Sequence, residues 1–87
     1  MSYVLIRHIV HDFAKWKPVY DAHLAARQKA GLRERNLLRR VDNPDEVVLW
    51  FEAEDLMRAQ AFTNSSDVRE IMQKAGVVGK PDILFLS

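Results

Sequence analysis

The chain has 87 residues, a formal net charge of +1 and no cysteine. Disulfides, thiolate metal sites and a cysteine nucleophile are therefore excluded. Hydrophobic residues make up 48% and charged residues 29%, with both signs interspersed, which is the balance of a folded globular protein without the basic excess of a nucleic-acid surface.

This length makes one domain, residues 1–87. A domain so small buries only about 60% of the surface that its unfolded chain exposes. With no disulfide available, a partner chain is the expected supplement. The apolar run at the start, "SYVLIRHIV", is too short to cross a bilayer. It has no basic leader and no small-residue cleavage site, so a cytoplasmic protein without membrane association is expected.

Ser2–Val10 is apolar and rich in β-branched residues, and reads as the first strand. Asp12 is placed to cap a helix from Phe13. Phe13, Trp16, Tyr20, Leu24 and Arg27 follow helical spacing on one stripe. Pro18 lies inside this pattern, so the helix either starts near Trp16 or bends at Pro18. Gly31 stops it. Leu32–Val41 reads as the second strand, "DNPD" (42–45) as a tight turn, and "EVVLWFEAED" (46–55) as the third strand. Asp55 caps a helix over "LMRAQAFT". Ser65 or Ser66 caps another that Gly76 ends, with Val68, Ile71, Met72 and Ala75 on one side. "VVGKP" reads as a loop and Asp82–Ser87 as the last strand.

The order is the βαββαβ arrangement of α+β ferredoxin-like folds, a four-stranded antiparallel sheet with helices on one face. In the third strand Val47, Leu49, Phe51 and Ala53 form a core face, yet Val48 and Trp50 on the other face are also apolar. The other three strands repeat this two-sided character. Each such side chain is worth roughly 1.5–3 kcal/mol when buried, so a homodimer joined through the helix-free sheet faces is expected.

"VLIRHIV" running into "DFAKWKPVYDAH", then "RRVDNPDEVVLWFEAEDLMRAQAF" and "AGVVGKPDI", resembles the dimeric α+β barrel superfamily. Within it the chain is most similar to small bacterial proteins of the antibiotic biosynthesis monooxygenase-like branch. The resemblance spans essentially the whole chain and rests on loose patterns. It implies a homodimer with a cleft between sheet and helices or inside the barrel. Members include cofactor-independent oxygenases, haem-degrading enzymes, isomerases and ligand-binding domains of regulators, so the resemblance speaks to fold more than to activity.

Two groups of residues are candidates for chemistry. His23 and Arg27 are four apart on the first helix and therefore neighbours. They form either the polar end of a pocket, His23 as acid–base and Arg27 as anion anchor, or a rim ion pair with Asp21, Glu52 or Glu54. Arg7 and His8 alternate on the first strand, so one faces the helices and the other the barrel interior. His8 and His11 point to opposite faces, which argues against a shared metal. Trp50 and Asn36 lie centrally in their strands and join Arg7 and His8 as a substrate-binding set only if all share a cavity. For Trp50 alone, a packing role outweighs a pocket role, since large aromatic residues dominate cores and interfaces.

"GVVGKP" lacks the spacing of a phosphate loop, no Gly-x-Ser-x-Gly nucleophile motif is present, and "RERNLLRR" alternates charges with leucines. No metal or organic cofactor is expected. The expected ligand is a small, apolar, aromatic or polyketide-like molecule beside Trp50. The chemistry implied by the resemblance is cofactor-independent oxygenation, with His23 or His8 as base and Arg27 or Arg7 stabilising the anion. The alternatives are a non-catalytic ligand-binding dimer and a structural dimer with a filled interior.

Overall fold

The computed structural model describes residues 2–87. Strand β1 (Ser2–Val10) is followed by helices α1 (Phe13–Ala22) and α2 (Leu24–Lys29), strands β2 (Leu32–Arg40) and β3 (Asn43–Ala53), helices α3 (Leu56–Thr63) and α4 (Ser66–Ala75), and strand β4 (Val77–Leu86). The sheet order is β2-β3-β1-β4, and every neighbouring pair is antiparallel. This is the ferredoxin-like α+β fold. Among the described residues no helix is long and apolar enough to cross a membrane.

Alternation along the strands builds the core. Val4, Ile6, His8 and Val10 on β1 and Val47, Leu49, Phe51 and Ala53 on β3 are buried against the helices. Trp16 and Tyr20 of α1 stack with ring centroids 4.7 Å apart over this floor. Helices α1, α3 and α4 begin on side-chain caps, whereas α2 starts at His23 without one. Asp12 accepts from the Ala14 amide at 2.9 Å, Asp55 from Met57 at 2.9 Å and Ser65 from Val68 at 3.2 Å. Each satisfies an amide that the helix itself leaves open.

Four boundaries differ from the sequence reading, each for a local reason. Helix α1 starts at Phe13 and runs through Pro18, rather than starting near Trp16. The bond Pro18 forfeits would have gone to the carbonyl of Ala14, which is exposed and open to water. The break comes at His23, whose amide bonds back to Tyr20 at 3.1 Å. It turns the stripe so that Arg27 faces inward while Leu24 is left exposed. The β2–β3 hairpin turns at Val41–Asp42, so Asn43–Asp45 already belong to β3. Strand β4 starts at Val77, five residues earlier than Asp82. "VVGKP" is thus strand carrying a bulge, since Arg7 pairs with Asp82 but Ile9 with Val78. Gly79 sits there at φ +70°, a left-handed conformation that glycine adopts freely.

The opposite face of the sheet carries no helix. Leu38, Trp50, Leu84, Leu86, Ile9 and Val78 are exposed there. Cross-strand neighbours align them, with Asn36 and Leu5 flanking Trp50, and Leu38 and Arg7 flanking Val48. Arg7 faces this side and pairs with Asp82 at 2.9 Å.

Candidate functional site

A cavity of about 60 Å³ lies between the helix-covered face of the sheet and the helices. Ile6, Leu49 and Phe51 line it from the strands, and Trp16, Phe62 and Val68 from the helices. A larger groove, about 530 Å³, follows the edge beside Gly31 and is rimmed by Glu34, Glu52, Glu54 and Arg33.

Polar groups enter the smaller cavity at three places. His8 projects from β1, opposite the β4 bulge, and is 6% exposed. Neither ring nitrogen has a hydrogen-bond partner among the described residues, and its ring meets Trp16 edge-on at 5.6 Å. Burial pushes the imidazole pKa down to about 4, because a charge is disfavoured in apolar surroundings. His8 is therefore a neutral imidazole at pH 7 with an open lone pair and an open N–H.

Arg27 enters from α2 and is 7% exposed. Its guanidinium lies 3.7 Å from the centroid of the Tyr20 ring and donates to the Tyr20 carbonyl oxygen at 2.6 Å. The Tyr20 hydroxyl in turn donates to Glu34 at 2.6 Å. Burial first, and that hydrogen bond second, push the hydroxyl pKa well up, so Tyr20 stays protonated.

His23 stands at the junction of α1 and α2. Its Nε2 lies 3.0 Å from the Asp67 carboxylate of α4, and its ring stacks on Phe62 at 5.8 Å. This pair bridges the two helical arms over one end of the cavity. The expected partners of His23 and Arg27, namely Asp21, Glu52 and Glu54, are engaged elsewhere. Asp21 holds Lys17, Glu52 holds Arg35, and Glu54 lies near Arg58.

The expected candidates thus divide between two sites. His8, His23 and Arg27 come together on the helix side. Trp50, Asn36 and Arg7 lie on the other face of the sheet and cannot join them in one monomer cavity, because neighbouring strand residues point oppositely. Within one chain, Trp50, Asn36 and Arg7 therefore share no pocket with His8, His23 and Arg27. Trp50 instead meets Tyr3 edge-on at 6.3 Å. Sequence reasoning also missed Tyr20 as a link between Arg27 and Glu34, and Asp67 in the first turn of α4 as the partner of His23. Among the described residues no group of three His, Asp or Glu side chains is placed to hold a metal ion.

A four-stranded α+β sheet with one covered face and a small cleft beneath its helices defines the class of fold. No protein-family model matches the chain, and no curated protein matches it in sequence. Solved structures do match in shape. A putative antibiotic biosynthesis monooxygenase from Bordetella bronchiseptica superposes with a TM-score of 0.80 at 15% identity, over 99% of this chain and 94% of that one. Another so named, from Caulobacter crescentus, gives 0.70 at 17% identity over 98% and 86%. An uncharacterized NIPSNAP domain protein from Burkholderia xenovorans gives 0.65 at 12% identity over 100% and 91%. The fold is shared with all three.

Proposed function

We propose that the chain acts as a homodimer, joined through the open sheet face, that binds a small apolar molecule in the cavity beneath its helices and oxygenates it without a cofactor. The names of the similar structures support the chemistry. The observation that carries the reading is His8, an imidazole with both nitrogens buried and unpartnered, facing the same cavity as Arg27. Leaving such a group unsatisfied costs free energy, which a bound ligand with a polar edge would recover.

In the proposed reaction His8 takes a proton from an acidic C–H, and Arg27 stabilises the resulting anion. The carbanion passes one electron to dioxygen, the two radicals combine to a peroxide anion, the proton held on His8 returns to give the hydroperoxide, and loss of water leaves a carbonyl. The balance is CH2 + O2 → C=O + H2O. Dioxygen is the oxidant and the substrate supplies all the electrons. Six exposed apolar residues on the open face, more than a small soluble domain ordinarily leaves in one patch, support the dimer.

One observation favours a second reading, a non-catalytic binding dimer. With its pKa at about 4, His8 is a weak base until a ligand's negative charge raises it. Oxygen uptake across a series from single-ring quinols to anthrone decides between them. The oxygenase reading expects His8→Phe to slow turnover at least about 100-fold, the usual contribution of a positioned base, and His23→Ala to slow it much less. Ligand binding with no oxygen uptake on any substrate leaves the binding dimer.

A further inference from the structure

The charges around the cavity are unequal in kind. His8, His23 and Arg27 are among the residues that line it, through a largely apolar surface, and no aspartate or glutamate lines it. Arg27 is the fixed charge among the lining residues, since an arginine is not deprotonated in proteins. A guanidinium has five N–H donors; the hydrogen bond of Arg27 within the described residues is the one to the Tyr20 carbonyl, and no carboxylate lies within ion-pair distance of it. Glu34 is turned to the Tyr20 hydroxyl instead. Three exposed arginines contrast with this, although Arg39 and Arg69 also lack a carboxylate partner among the described residues. Arg7 is paired with Asp82, Arg35 with Glu52, and Arg40 with both Asp42 and Glu46.

A buried cation without a counter-charge is costly, because desolvation is not repaid by an ion pair. The stack on Tyr20 offsets part of that cost. From these placements we infer that the cavity selects small organic monoanions, a carboxylate or an acidic enol on an apolar body of about one ring, with the anion on Arg27 and His8 hydrogen-bonded to the same polar edge. The inference rests on reading this cavity as the ligand site and adds its charge preference. Neutral ligands would leave the guanidinium uncompensated. Cations would add like charge in an apolar space, where repulsion is strongest.

Size narrows the class further. A dry cavity of about 150 Å³ admits benzene, whereas this one measures about 60 Å³. A single ring therefore enters only if the helical arms part, and the place for that is the end spanned by the His23–Asp67 pair. A fused tricyclic ring would require far more displacement of the Trp16 and Tyr20 stack.

Benzoate, benzamide and benzylamine share one shape and differ in charge, and titration calorimetry of the whole chain with each is the test. Benzoate should bind at least about tenfold tighter than benzamide, as a charge-assisted bidentate contact permits, and benzylamine weakest of the three. The preference should survive 0.5 M NaCl, since buried pairs are screened much less than exposed ones. Arg27→Met should bring benzoate to the level of benzamide while benzamide changes less than about threefold, and Arg27→Lys should restore part of the difference. The His8 ring resonances should shift on benzoate addition, which places the site.

Equal binding of benzoate and benzamide by the parent protein overturns the charge preference and leaves an apolar ligand site standing. A preference that vanishes in salt, with His8 unmoved, overturns it too, by moving the anion to the exposed arginines. Failure of all three to bind at millimolar concentration overturns both the preference and the ligand site. The comparison among ligands on the parent chain decides these outcomes even if a variant fails to fold.

Discussion

Phe51 and Trp50 are neighbours on β3, yet Phe51 is 2% exposed and Trp50 42%. Phe51 belongs to the face that the helices cover, between Val4 and Glu34. Trp50 belongs to the open face, between Leu5 and Asn36. Both are large aromatic residues in a central strand. They differ in where they point, for one is buried beneath the helices and the other is left exposed on the open face. Apolar content alone therefore does not say where stability resides; the direction of each side chain does.

Substitutions on the two faces should separate these roles. Phe51→Ala should remove about 3–5 kcal/mol of unfolding free energy, the usual cost of deleting a buried aromatic, at any protein concentration; chemical denaturation monitored by circular dichroism reads it. Trp50→Glu should leave the monomer's secondary structure intact and shift the protein toward monomer in light scattering at micromolar concentration. If Trp50→Glu instead unfolded dilute protein as Phe51→Ala does, the two faces would not be distinct in the way proposed.

The covered face has its own internal test at His8. Its folded pKa, about 4, lies below the unfolded value near 6.5. Between those values the unfolded chain binds a proton that the folded chain refuses. The His8 contribution is thus fully present above about pH 6.5, is lost as pH falls toward 4, and levels off below that. The loss should be about 3 kcal/mol. His8→Phe should flatten the stability profile in this window, as denaturant midpoints between pH 4 and 7 would record.

The smallest effect belongs to the open face. Arg7 and Asp82 are paired at 2.9 Å with side chains 57% and 65% exposed, and such pairs contribute at most about 1 kcal/mol. Arg7→Ala should change monomer stability by less than that, an effect that 0.5 M salt should erase. A larger loss in the dimer alone would show that association buries the pair.

The element order, the caps at Asp12, Asp55 and Ser65, and the core face of β3 were legible because each rests on short-range chemistry. The break at His23 was not. Helical spacing continues through it, and only packing shows that Arg27 turns inward while Leu24 turns out. The early start of β4 was hidden for a similar reason, as Gly79 and Pro81 signal a loop unless the neighbouring strand is known. At the site, His23 and Arg27 were found by their spacing. The place of His8 could not be settled, because Arg7 and His8 alternate and either side was chemically acceptable until the register with β3 fixed it.

The bulge at Gly79 bears also on how this sheet meets other sheets. Strand β4 is an outer strand, and an outer strand offers its unpaired backbone to any other chain that extends alongside it. Here that rim is interrupted by a left-handed glycine, then a lysine at Lys80, then Pro81, which has no N–H to give. The opposite rim, β2, carries Arg33, Arg35, Arg39 and Arg40. Growth by lateral strand addition, the geometry of fibres, is disfavoured at both rims, and the proposed dimer would use the apolar face instead, a face-to-face contact that closes after two copies.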